Sequence, residues 1–254
     1  MSVYDRRPAS DLEVVDRWPA ETASSPARNS SNRAGGSSSP AGVGWLAHPA
    51  EGSRRVSHAV LSPDGTGVWV FDPLDAPGVD DLLADLGEVR GVAVLSDYHA
   101  RDAGAIARRH DVPVTVPECL ARVAERVDAP VERTTGPVAG FELFPIRPLF
   151  AWREAVAYRE ADGTLYVPDY LSSHETFCVA GERVGLPTVS RLLPPRGVFD
   201  PLEPERILFG HGAGIFEDAA TALADALEGA RRRFPRALVS NLPGEIRAML
   251  GAVR

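Results

Sequence analysis

The sequence predicts a layered α/β fold, and three observations predict it. Between 57 and 127, short apolar runs alternate with stretches of helical period, a strand–helix–strand–helix series. Between 141 and 209, further runs read as strands, two of them joined by the turn Ala-Asp-Gly at 161–163. The chain closes on a strongly amphipathic stretch, 216–234, with acids early and arginines late, as a helix dipole favours.

Taken in order, DLEVVDRWP near the N-terminus offers Val14, Val15 and Trp18 for packing. Residues 21–42 are Ser, Gly, Pro, Ala and Asn with little to bury, and are expected to be a disordered insert. The domain proper runs from 43 to 254, after an N-terminal segment, 1–20. SHAVLS and TGVWVFDP read as strands joined by the turn PDG, and 75–86 as a helix. GVAVLS (91–96) is an all-apolar run, the pattern of a buried strand. ARDAGAIARRH reads as a helix, DVPVTVP as a strand and 118–127 as a second helix. FELFPIRPL, AVAYRE, TLYVPD and RILFG read as strands. Asn241 and Pro243 mark the start of a last helix reaching Val253.

The composition is that of a globular protein: 254 residues, 44% apolar and 24% charged. Every one of the 27 basic residues is arginine. The net charge of -8 argues against a general nucleic-acid binder, which presents a basic face. Cys119 and Cys178 form no CxxC, and two reduced thiols suit a cytoplasmic location. No apolar run approaches the roughly 20 residues of a spanning helix, and no leader is evident. A soluble protein acting on a small molecule, away from nucleic acid and membrane, is expected; the oligomeric state is left open.

The polar residues that matter follow predicted strands. Asp72 follows VWVF, the stretch SDYHARDAG follows VAVL, Asp169 follows TLYVP, and His211 follows RILFG. Loops at strand ends are where sheet proteins gather reactive groups. No GxSxG is present, and HGAG lacks the Lys-Ser/Thr of a phosphate loop.

The order of these pieces resembles the metallo-β-lactamase superfamily over about 43–215, with GTLYVPDYL and PERILFGHG as the best matches. The resemblance implies a four-layer αβ/βα sandwich with metals at the sheet edge. Set against the family's THxHxDH motif, Asp97 stands for the first histidine and His99 keeps the second. Arg101 stands for the aspartate and Asp102 for the last histidine. Asp169 and His211 match the bridging aspartate and the final histidine, and Asp72 the residue that supports the metal shell. The middle histidine has no counterpart; Glu154 is the nearest substitute. The implied metal ligands are therefore Asp97, His99, Asp102, Asp169 and His211, with Asp169, His211 and Arg101 as catalytic candidates. An altered site of at most one divalent ion (Zn, Mn or Fe) in a hydrolase is expected. Three carboxylates in one cleft need a cation, which a metal supplies, or Arg101 by forking onto two of them. In the second case no metal is needed and the protein is a non-catalytic binding module.

Overall fold

The structure, a computed structural model, describes residues 4–5, 7–19, 40–147 and 152–252. Most of the expected insert lies outside them, but its end does not: Pro40–Leu46 is a strand. Eleven described strands form two sheets. The first contains β1 (Glu13–Pro19), β2 (Pro40–Leu46), β3 (Val56–Leu61), β4 (Val68–Phe71), β5 (Val89–Ala93), β6 (Val114–Pro117) and β7 (Val131–Thr134), side by side in that order. The pairings from β1 to β4 are antiparallel and those from β4 to β7 parallel. The second sheet contains β8 (Glu142–Ile146), β9 (Glu154–Arg159), β10 (Thr164–Val167) and β11 (Arg206–Phe209), in the order β11-β10-β9-β8. Only β10 and β11 are parallel there.

Burial divides into three apolar layers, which is the content of a four-layer sandwich. Val43, Trp45, Val70 and Val92 on one face of the first sheet meet Leu83 of α1 (Val79–Ala84) and Ile106 of α2 (Ala103–Arg109). The opposite face of that sheet, through Val60, Phe71 and Leu95, packs on Phe141, Ala157, Tyr166 and Leu208 between the sheets. The outer face of the second sheet, through Leu165 and Ile207, packs on Leu223, Ala226 and Leu227 of α4 (Ala219–Ser240). Short α3 (Arg196–Phe199) precedes β11, and α5 (Leu242–Ala252) follows α4. No helix among the described residues is long and apolar enough to cross a membrane.

Three expected elements differ. The helix expected over 75–86 begins only at Val79, because Gly78 takes φ 89° directly before it. The helix expected over 118–127 is a series of turns ending in the 3-10 turn Ala124–Arg126. Leu120 and Val123 still reach the core, and the Glu118 amide is held by the Thr134 carbonyl at 2.9 Å, so β7 fixes the path. β7 itself, Val-Glu-Arg-Thr, has no apolar run to read. In contrast, α4 runs past its expected end at 234 through Pro235. Pro235 is exposed, so water can take the carbonyl it leaves free.

Candidate metal centre

Parallel pairing positions the site. Because β4 and β5 run parallel, Asp72 and the loop at 96–102 emerge at one edge of the first sheet. Because β10 and β11 run parallel, Asp169 and His211 emerge together from the second. Gly210 lets them meet: a Cβ there would collide with the Pro168 carbonyl and lie 2.9 Å from the His99 ring. His99 and His211 Nε2 each lie 3.0 Å from Asp169 Oδ1. One ligand atom from each of His99, Asp169 and His211 lies within 4.8 Å of the others.

Both imidazoles are oriented by their far nitrogens. His99 Nδ1 is 2.9 Å from Asp72 Oδ2, and His211 Nδ1 is 2.8 Å from the Ser53 carbonyl. A carbonyl, like a carboxylate oxygen, accepts, so each Nδ1 carries a hydrogen and each Nε2 is turned toward Asp169, where it donates if the ring is protonated and offers a lone pair to an ion if it is not. Asp72 is itself fixed by the Leu95 amide at 2.8 Å and the Tyr166 hydroxyl at 2.6 Å. It sits at φ 48°, a left-handed conformation that aspartate tolerates and that bends the chain sharply after β4. Asp169 Oδ2 accepts from Ser96 Oγ at 2.8 Å.

Burial opposes ionisation of Asp169, but His99 and His211 overcome it and hold its carboxyl well below the usual range. Burial and the Arg101 charge push His99 down, yet Asp169 and Asp72 outweigh them and raise it. Glu154 is fully buried; burial first, then the Asp169 charge, hold its carboxyl well above the usual range. Its Oε1 accepts the Tyr170 amide at 3.0 Å and its Oε2 has no partner.

Of the residues expected to converge, His99, Asp169 and His211 do. Asp97 and Asp102 do not join them. Asp102 stands at the N-terminus of α2, and its carboxylate accepts the Asp75 amide at 2.9 Å. The Asp97 carboxyl is buried among the charges of Arg122, Arg153 and Arg126, and burial keeps it raised against them. With these two carboxylates elsewhere, the expected fork of Arg101 onto Asp102 and Asp169 does not form. Arg101, at φ 38°, donates instead to the carbonyls of Val56 at 3.0 Å, Asp72 at 2.8 Å and Gly210 at 3.3 Å. Its Nη2 also lies 3.0 Å from His99 Nε2. Three of the four hydrogens on its terminal nitrogens are thereby committed to carbonyls, and its Nε is buried without a partner, so little of the guanidinium is left for a substrate anion. Sequence reading missed Ser53 and Tyr166, which act only through tertiary contact.

The chain is similar in structure to two metallo-β-lactamases over most of its length. A structure of DIM-1 metallo-β-lactamase exposed to ceftazidime matches with a TM-score of 0.53 at 9% identity, covering 88% of this chain and 100% of that one. The metallo-β-lactamase from Pontibacter korlensis matches with a TM-score of 0.51 at 14% identity, covering 87% and 99%. No protein-family model matches the sequence. No curated protein matches it either. The fold is therefore that of the metallo-β-lactamases, an αβ/βα sandwich, with a two-imidazole, one-carboxylate cluster at the shared edge of its sheets.

Proposed function

We propose that this chain is a metal-dependent hydrolase with a one-ion site made by His99, Asp169 and His211. The observation that carries the reading is the common direction of both imidazoles. Asp72 and Ser53 take the Nδ1 hydrogens, so both Nε2 atoms and one carboxylate oxygen face one another at 3.0 Å, and with neutral rings two lone pairs point at that oxygen. Such a set is repulsive unless a cation or extra protons lie between its members. Two imidazoles and a carboxylate are also the donors that Zn, Mn and Fe(II) accept in hydrolytic and oxygen-using proteins. A divalent ion there would supply Lewis acidity, polarising an ester, thioester, amide or phosphoester and making water nucleophilic near neutral pH. Within the chain, Asp72 and Ser53 orient the ligands, and Ser96 leaves Asp169 only Oδ1 to face the imidazoles. Arg101 adds a fixed positive charge beside His99. The substrate is a small molecule, and two free thiols fit a cytoplasmic setting.

The contact of Arg101 Nη2 with His99 Nε2 favours a second reading, in which the guanidinium replaces the ion and the protein is a non-catalytic binding module. Elemental analysis of untagged protein, expressed with Zn, Mn and Fe supplied, separates the two. The hydrolase reading expects about one ion per chain, lost in His211→Ala and Asp169→Ala. Metal-free wild-type protein under all three supplements would establish the second.

A further inference from the structure

We infer that the N-terminal residues Tyr4 and Asp5 form a strap across the mouth of the His99–Asp169–His211 site, with the Tyr4 ring as the group that controls access. The strap is pinned by a part-buried ion pair. Glu51 and Arg55 join at 2.7 Å through Oε1 and Nε, and at 2.8 Å through Oε2 and Nη2. The same two side chains grip the strap from both sides: the Asp5 amide donates to Glu51 Oε2 at 3.1 Å, and Arg55 Nη2 donates to the Asp5 carbonyl at 2.8 Å. The Arg55 guanidinium carbon then lies 5.5 Å from the centre of the Tyr4 ring.

The segment that grips the strap also carries the site. Arg55 forms an isolated antiparallel bridge with His211. The Gly212 amide donates to the Arg54 carbonyl at 3.1 Å, the Val56 amide to the Gly210 carbonyl at 2.9 Å, and Ser53 holds His211 Nδ1. Tyr4 is thus placed over a segment paired directly with a candidate ligand. Its electrostatics agree. Burial and then the Asp169 charge push the Tyr4 phenol up to about 12, while Arg55 and Arg101 oppose them. That the Asp169 and Arg101 charges both reach the phenol agrees with a ring held close to the site. The phenol stays neutral and presents a rigid ring to whatever enters.

The inference takes the triad as the functional centre, as the proposed function does, but does not need an ion to be bound. Diethylpyrocarbonate labelling of the full-length chain tests it, with chelator present so that no ion shields the rings. His211 Nε2 is the reactive atom, since Nδ1 is held by Ser53, and His110 at the end of α2 serves as an internal reference. Tyr4→Ala is expected to raise the labelling rate of His211 about tenfold with His110 unchanged, while Tyr4→Phe keeps the wild-type rate. Equal His211 rates in wild type and Tyr4→Ala overturn the inference. So does a Tyr4→Phe protein labelled as fast as Tyr4→Ala, since the ring would then cover nothing. Metal content is read separately, so the two ideas fail independently.

Discussion

Arg101 and Asp169 press on the same atom of the cluster. Nε2 of His99 has a carboxylate oxygen at 3.0 Å on one side and a guanidinium nitrogen at 3.0 Å on the other. Those neighbours ask for opposite protonation states: Asp169 favours an N–H, Arg101 a lone pair. Were an ion held by Asp169 and both imidazoles, as proposed, the lone pair would be kept and its contact with the carboxylate relieved. Removing the guanidinium should therefore change two quantities in opposite directions. In Arg101→Ala, three buried carbonyls lose a donor, and the fold should lose about 3 kcal/mol, read by urea unfolding. Metal affinity, read by titration, should rise about tenfold as a fixed cation leaves the ligand sphere. Glu154 gives a pH signature. Its folded value stands well above the ordinary 4.5, so its contribution to stability is present below that value and lost as the pH rises through the raised one. Asp169 is shifted the other way: its contribution is present above its ordinary 3.8 and is lost only as the pH falls below it. Glu154→Gln should hence gain on wild type in melting temperature from pH 5 to pH 9, and a constant difference would contradict the assignment.

At the scale of elements, β1 does more than extend a sheet. Both oxygens of its Asp16 accept the Gly214 amide, at 2.9 and 3.1 Å, and Oδ2 lies 3.2 Å from His58 Nε2. The strand thereby holds the turn that follows His211. His58 is fully buried with Nδ1 unpartnered, so Asp16→Ala strands the whole ring. A loss of about 2 kcal/mol is expected, with faster amide exchange at Gly212 and Gly214 than at β10. Little of this was legible. DLEVVDRWP offers Val14, Val15 and Trp18 for packing; Trp18 is 3% exposed but Val14 is 39% exposed, and nothing in that stretch marks Asp16 as buried. Short elements were legible where an apolar run met a turn, as in β3, β4, β10 and β11. They were not where pairing alone made them, as in β7, or where turns buried the same side chains a helix would, as with Leu120 and Val123.

Across the whole molecule, the central apolar layer joins the two sheets. Phe141 lies in it, fully buried, edge-on to Phe71 at 5.3 Å between ring centres. Phe141→Ala should cost about 3–5 kcal/mol, measured by chemical unfolding. The candidate site was legible in the same measure as the strands. His99, Asp169 and His211 each follow a readable strand, and strand ends of a parallel pair must share an edge. Asp97 and Asp102 are separated from His99 by only a few bonds, and which of them turns inward depends on the left-handed backbone at Asp72 and Arg101, which no spacing reveals. Tyr4 and Ser53 approach through folds of the chain far from any motif.

His99 belongs to one sheet, and Asp169 and His211 to the other. A ligand that bridges them acts as a clasp, because unfolding must tear it from one half. Heat resistance that climbs with ligand concentration would thus report occupancy before any reaction is known, and screening by that shift offers a direct route to whatever the centre holds.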